Sequence, residues 1–211
     1  MMFAGLKADA IKIGMGIGSG CTTQEVKATG RGQATAIMEI SAARNDFYIK
    51  TNNYIPLIAD GGINTPADIA VALALGADSV MMGNFFARFA ESPGELLEIN
   101  GEYVKEYWME GSRKAFNLRR YYQSASTFFE EGVAGNVPYE GSVFDSIPSA
   151  KQRLKATLST TGAESIQDLH ENAVLELQTY SASEAGRIHD MTVMKHRETS
   201  LPVFGKTSHS R

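Results

Sequence analysis

The sequence predicts an α/β fold organised on a parallel sheet, and three observations carry that prediction. Short, near-continuously apolar runs recur, and each closes on glycine. Ala-rich stretches of helical spacing separate them. The connections between runs are too long for hairpins. Apolar runs without alternation suit strands covered on both faces, and long crossovers suit parallel neighbours.

The first run, Ala8 to Ile13, closes at Gly14; the second, Tyr54 to Ala59, closes at Asp60-Gly61-Gly62; the third, Asp78 to Met82, closes at Gly83. Between the first two, Gln33 to Ile49 places Ala36, Ile37, Ile40 and Ala43 on one helical face. Between the second and third, Thr65-Pro66-Ala67-Asp68 supplies a cap, a first-turn proline and a first-turn acid, and the helix stops at Gly76. Residues 92–147 carry glycine, tyrosine and charge with little periodicity and read as an extended excursion. Helices resume over Ser149 to Leu158 and from about Ala163 to Leu175, and the tail from 197 to 211 reads as disordered. Three strands of this kind belong to part of a (β/α)8 barrel or to a small doubly wound sheet.

Composition narrows the function classes. At 43% hydrophobic and 21% charged, the chain is ordinary globular material. A net charge of −4 gives no general attraction to nucleic acid or to an anionic membrane, so an anionic ligand would be held by local groups. No run reaches the length of a membrane span, and the start lacks the layout of a secretory signal. A single cysteine, Cys21, forms no internal disulfide and agrees with a reducing, cytoplasmic setting. His170, His189, His196 and His209 lack the spacing of a transition-metal site.

The densest chemical signal follows the first strand. Gly14, Gly16, Gly18 and Gly20 alternate toward Ser19, Cys21, Thr22 and Thr23. Such a loop lets a backbone approach a ligand closely, and a cysteine at the C-terminal end of a parallel strand stands where barrel enzymes keep their chemistry. Cys21 is therefore a candidate nucleophile, with the bland alternative of a buried small hydrophobe. Gly61, Gly62 and Gly83, in the turns after the next two strands, suit a phosphate held on amides, and Asp60 suits a ribose diol. Arg119-Arg120-Tyr121-Tyr122 and Glu130-Glu131-Gly132, read alone, are a solvated charged face.

Taken in order, these segments resemble one family. Gly14 to Thr23 resembles the active-site loop of the inosine monophosphate (IMP) dehydrogenase and guanosine monophosphate (GMP) reductase family. The match continues through Ile58-Ala59-Asp60-Gly61-Gly62-Ile63, Val80-Met81-Met82-Gly83, Glu91-Ser92-Pro93-Gly94, Tyr107-Trp108-Met109-Glu110-Gly111-Ser112, Arg120-Tyr121 and Glu131-Gly132-Val133.

The resemblance implies a fold and a chemistry. Residues 1–196 would be the C-terminal portion of a TIM barrel, about strands six to eight, with a flap over about 92–147. The first five strands, and any regulatory CBS pair, would lie outside this chain, which would be inactive alone. Cys21 would attack C2 of IMP, hydride would leave for NAD, and water would hydrolyse the resulting thioimidate to xanthosine monophosphate. Ser19, Gly62, Gly83, Asn84 and Tyr107 would hold the phosphate, Asp60 the ribose, and Met109, Glu110 and Glu131 the purine edge. Gly14 and Gly16 would border NAD. Carbonyls of Gly16, Gly18 and Cys21 would bind potassium, completed by Glu184, Ala185 and Gly186 of a neighbouring subunit in a homotetramer; the family usually has two glycines there, and Ala185 departs from that. Arg120 and Tyr121 would activate water, with Thr23 and Glu131 as a second proton route. The Arg-Tyr pair favours dehydrogenase over reductase; a non-catalytic nucleotide-binding fragment is the third reading.

Overall fold

The computed structural model describes residues 8–118 and 128–186. The chain divides into two compact units, Met1–Val174 and Leu175–Arg211. The first holds a parallel sheet in the order β1-β2-β3, formed by β1 (Ile11–Ile17), β2 (Leu57–Gly61) and β3 (Ser79–Met81). The α/β class read from the sequence is the class of the structure.

Each element follows from local chemistry. Leu57 and Ala59 of β2 are fully buried, and with Ile13, Ile37, Ile63, Ala72 and Ala77 they form the core. Helix α1 (Thr23–Lys27) leaves the cysteine loop, and α2 (Gln33–Thr51) ends where Asn52 takes a left-handed conformation at φ 54°. Helix α3 (Pro66–Ala74) opens with a capping box: the Asp68 amide donates to the Thr65 hydroxyl at 3.3 Å, and the Thr65 amide donates to the Asp68 carboxylate at 2.9 Å. After β3 comes the short α4 (Gly83–Ala87). The first strand was expected to close at Gly14, but it runs on to Ile17. Gly14, at φ +103°, lies inside a register irregularity between Ile13 and Ile17, after which Ile17 pairs with Gly61. A Cβ there would stand 2.1 Å from the Asp60 carbonyl oxygen, so the strand continues only because the residue is glycine.

The segment read as an unstructured excursion contains a second, antiparallel sheet in the order β4-β5-β6: β4 (Leu96–Ile99), β5 (Glu102–Trp108) and β6 (Ala134–Pro138). Between β5 and β6 lies α5 (Arg113–Asn117). The β4–β5 turn is Asn100-Gly101, with φ of +54° and +80°. Two positive φ values in a two-residue loop are what the right-handed twist of a hairpin asks of its turn, and Asn-Gly satisfies them most readily. Helix α6 (Val143–Thr161) starts six residues before its expected origin, because Ser142 caps it and Glu91 accepts from both the Ser142 hydroxyl at 2.5 Å and the Val143 amide at 2.9 Å. Helix α6 and α7 (Ile166–Asn172) both pack on α3. In the second unit the described residues form α8 (Tyr180–Ala185), capped by Thr179. No helix among the described residues is long and apolar enough to cross a membrane.

At the N-terminal end of β2 the sheet is tied down by a charge. Arg44 of α2 is 2% exposed, and all five of its N–H donors are used: on Asn45, Tyr54, Asp78, Ser41 and the Gly76 carbonyl. Asp78 in turn accepts from the Tyr54 hydroxyl at 2.5 Å and the Leu57 amide at 2.7 Å. Partial burial and the bond to Asp78 push the Tyr54 phenol up to about 12. Between the ordinary tyrosine value and that one, the unfolded chain has lost the proton while the fold keeps it, so stability falls as pH rises. The melting temperature is therefore expected to drop from pH 10 to 12 more steeply in the native protein than in Tyr54→Phe; equal slopes would show that Tyr54 does not carry this linkage.

Candidate active site

The C-terminal ends of β1, β2 and β3 open into one cleft, and the second sheet closes it from the side. Part of the contact between them is main chain. Cys21 and Gly132 form an isolated antiparallel bridge, in which the Thr22 amide donates to the Glu131 carbonyl at 3.0 Å and the Val133 amide to the Gly20 carbonyl at 2.9 Å. Met109 packs into the space left by the two glycines: a Cβ on Gly132 would stand 2.4 Å from the Met109 Cβ, and one on Gly20 3.0 Å from its Cγ. Residues more than a hundred positions apart are thereby brought to hydrogen-bonding distance.

A chain of polar groups runs through this junction. The half-buried Cys21 thiol donates to Thr23 Oγ1 at 3.3 Å, and the Thr23 hydroxyl donates to Glu131 Oε2 at 3.0 Å. Lys27 Nζ stands 2.7 Å from the other carboxylate oxygen, Oε1. The Lys27 bond, seconded by the one from Thr23, holds the Glu131 carboxyl below its ordinary value despite an opposing desolvation effect. Glu131 is therefore an acceptor at neutral pH, which fixes the direction in which the Thr23 hydroxyl points its proton.

The opposite wall is made of glycine turns and polar side chains. The Gly62 amide donates to the Ile17 carbonyl at 2.6 Å, joining the turn after β2 to the end of β1. Gly18, at φ +124°, lies so close that a Cβ would come within 3.1 Å of Gly62 Cα. Gly83, at the start of α4, faces Tyr107 of β5; a Cβ on Gly83 would meet the phenolic oxygen at 2.4 Å. Burial, and then the charge of Asp60, raise the Tyr107 phenol, which stays a neutral donor at ordinary pH. Arg88 donates from Nε and Nη2 to Asn84 Oδ1 at 2.9 and 2.6 Å, leaving the Asn84 amide nitrogen as the outward donor. Lys12 Nζ takes Asp60 Oδ2 at 2.6 Å, and Asp60 Oδ1 makes no protein hydrogen bond among the described residues. Ser19, Met109 and Glu110 line the same cleft, whose volume is about 720 Å³, within the range of small-molecule sites.

A family model described as the IMP dehydrogenase / GMP reductase domain matches residues 2–189. The chain belongs to that family. It is 44% identical over 188 residues to an inosine-5'-monophosphate dehydrogenase of Tritrichomonas foetus, covering 88% of this chain and 37% of that protein. It is 38% identical over 193 residues to one of Aquifex aeolicus, covering 89% of this chain and 38% of the relative. With inosine-5'-monophosphate dehydrogenase 2 of Arabidopsis thaliana it shares 41% identity over 192 residues, 87% of this chain and 37% of the relative. The chain thus spans less than two fifths of the length of these relatives.

Of the residues singled out in the sequence for the family's chemistry, the fold gathers Cys21, Thr23, Ser19, Asp60, Gly62, Gly83, Asn84, Tyr107, Met109, Glu110 and Glu131 around one cleft. Arg120 and Tyr121 lie outside the described residues. The residues flanking that stretch meet: the Phe116 and Phe128 rings stand 4.5 Å apart, and the Arg113 amide donates to the Glu130 carboxylate at 3.1 Å. Glu184 and Ala185 end α8 and Gly186 caps it, within the second unit. For a potassium ion the carbonyls of Gly18 and Cys21 have the right chemistry, since they are neutral oxygens that accept no hydrogen bond among the described residues. Gly14 has a packing reason to be glycine, whereas Met15 beside it is 41% exposed on the cleft.

Sequence reading missed Lys27 and Lys12. The signal for Lys27 was present: it stands four residues after Thr23, so one helical turn puts both on the same face. Lys12 gave none, because a lysine in an apolar strand acquires meaning only when the neighbouring strand brings Asp60 beside it.

Proposed function

We propose that this chain is the portion of an IMP dehydrogenase barrel that carries the nucleophile, and that it acts in the oxidation of IMP to xanthosine monophosphate. The observation that supports this most is the alignment of Cys21, Thr23 and Glu131 at 3.3 and 3.0 Å beside the glycine turns at Gly62 and Gly83. In this reading residues 1–196 supply about strands six to eight, with the flap over about 92–147; the tail expected over 197–211 lies outside the described residues. Five further strands complete the barrel, and the finished enzyme is a cytoplasmic homotetramer.

The main-chain amide of Gly83, with Ser19, Asn84 and Tyr107, holds the phosphate. Gly62, whose own amide is taken by the Ile17 carbonyl, keeps the turn beside it free of a side chain. Asp60 Oδ1 takes a ribose hydroxyl; Met109, Glu110 and Glu131 border the purine. Cys21 first loses its thiol proton to solvent; the thiolate Sγ then adds to C2 of the hypoxanthine ring as the C2–H bond breaks, its electron pair leaving as hydride. NAD, which Gly14 and Gly16 would border, would supply the hydride acceptor. Water then adds to the same carbon, the C–S bond breaks with its pair returning to sulfur, and one proton is released. Thr23 and Glu131 offer that proton a route, since a carboxylate accepts through a hydroxyl at neutral pH. Arg120, with Tyr121, is the second candidate; an arginine, with a pKa above about 12, accepts a proton far less readily. Unchanged hydrolysis of the covalent intermediate in Arg120→Ala would remove it from this scheme. Potassium, held by carbonyls of Gly16, Gly18 and Cys21 and by Glu184, Ala185 and Gly186 of a neighbouring subunit, steadies the cysteine loop.

The outer strands of the parallel sheet, β1 and β3, each lack a second neighbour among the described residues, and such edges seek pairing. The chain alone is therefore expected to give no steady NADH from IMP and NAD, and to give it once a polypeptide supplying the remaining strands is added. Steady turnover without that partner would contradict the half-barrel reading; assembly without turnover would contradict the dehydrogenase reading.

A further inference from the structure

Thr23 and Lys27 are four residues apart on α1, so they share one helical face, and that face meets Glu131. The two side chains divide its carboxylate: Lys27 Nζ holds Oε1 at 2.7 Å, and Thr23 Oγ1 holds Oε2 at 3.0 Å. The Glu131 main chain is already fixed, its amide donating to the Gly111 carbonyl and its carbonyl accepting from the Thr22 amide, both at 3.0 Å. What remains free is the side chain, 24% exposed and able to turn into solvent. The neighbouring Glu130 pairs instead with Arg113, and Lys12 is engaged by Asp60, so neither cation competes for this carboxylate.

We propose that Lys27 is a positioning residue of this site, holding one oxygen of Glu131 so that the other stays on the Thr23 hydroxyl and, through it, one step from Cys21. The inference rests on the dehydrogenase reading and deepens it. An ionised carboxylate accepts hydrogen bonds and donates none, so the Thr23 proton points at Glu131 and the Thr23 oxygen stays open to a donor on its other side. In the resting site that donor is the thiol. In the hydrolytic step it is the attacking water: its oxygen bonds to C2, its proton passes to Thr23 Oγ1, and the Thr23 proton passes to Glu131 Oε2. Lys27 takes no proton in this step. With Lys27 gone, the carboxylate rotates among its rotamers and is aimed at Thr23 only part of the time.

The test is rapid-quench and steady-state kinetics on the assembled enzyme with IMP and NAD, comparing native protein with Lys27→Met, Lys27→Gln, Lys27→Arg, Glu131→Gln and the Lys27→Met/Glu131→Gln pair. The expected result for Met and Gln is a kcat lower by about tenfold, a fraction of what a positioned proton acceptor contributes. The first burst of NADH and the KM for IMP should be unchanged, because hydride transfer precedes the step that Glu131 serves. Arginine should restore most of the rate, and Lys27→Met should cost nothing more once Glu131 is already Gln. A native kcat in both neutral variants overturns the proposal. So does an equal loss of burst and hydrolysis that arginine does not rescue, which marks a folding defect. Absence of NADH from the native assembly would sink the dehydrogenase reading itself, and this inference with it.

Discussion

Cys21→Ser is expected to abolish covalent capture of 6-chloropurine ribotide by the chain. In that reaction the thiol sulfur bonds to the purine ring as chloride leaves, and the sole cysteine of the sequence makes the adduct countable by mass. A hydroxyl is a far weaker nucleophile at neutral pH, so the labelling rate should fall on the order of a thousandfold or more. Excess IMP should protect the native thiol, because the cleft that holds Cys21 also holds Gly62, Gly83 and Asp60. Labelling of Cys21→Ser at the native rate would place the reaction elsewhere. Labelling that IMP does not slow would leave the cysteine reactive but outside a nucleotide site.

The second large effect concerns stability at the other end of the sheet. Arg44→Met removes five donors from a site 2% exposed and leaves Asp78 facing Tyr54 and the Leu57 amide without its cation. Breaking one partner of a buried pair costs about 3–5 kcal/mol. For a chain of this size that lowers the melting temperature by roughly 10 °C. Lysine should not rescue it, since one ammonium on a flexible stem does not span Asn45, Ser41 and the Gly76 carbonyl together. A melting temperature within 2 °C of native, as a surface change of about 0.5 kcal/mol would give, would mean that the network is replaceable.

Both effects bear on what was legible beforehand. The parallel strands announced themselves because their runs are near-continuously apolar, and β2 keeps Leu57 and Ala59 fully buried. The cover on both faces that such runs suggest fails for β3, where Ser79 and Met81 are exposed, Met81 because it faces the cleft. The α3 capping box is a local contract between Thr65 and Asp68, three residues apart, and local contracts can be read from the string. The β4–β5 hairpin should have been read as well, since Asn100-Gly101 is its turn signal; the tyrosines and charges of Glu102 to Trp108 masked a strand whose faces are only partly covered. Lys105 shows why the pattern failed. It is 4% exposed and donates to the Ser92 carbonyl at 2.8 Å, a buried lysine that a reading by polarity assigns to solvent.

The site divides along the same line. The sequence alone determined the class of fold, the glycine-paced approach to Cys21, and membership in a family whose motifs keep their order along the chain. Each of these is written in neighbouring residues, where φ, spacing and capping act over a few bonds. Only the tertiary structure decided that Glu131 meets Thr23 across 108 positions, that Lys27 completes the carboxylate, and that Lys12 claims Asp60. Those pairings depend on how two sheets are set against each other by the Cys21–Gly132 bridge and the Met109 side chain wedged beside it. Through-space distances of this kind are fixed by packing, and no run of adjacent residues encodes them.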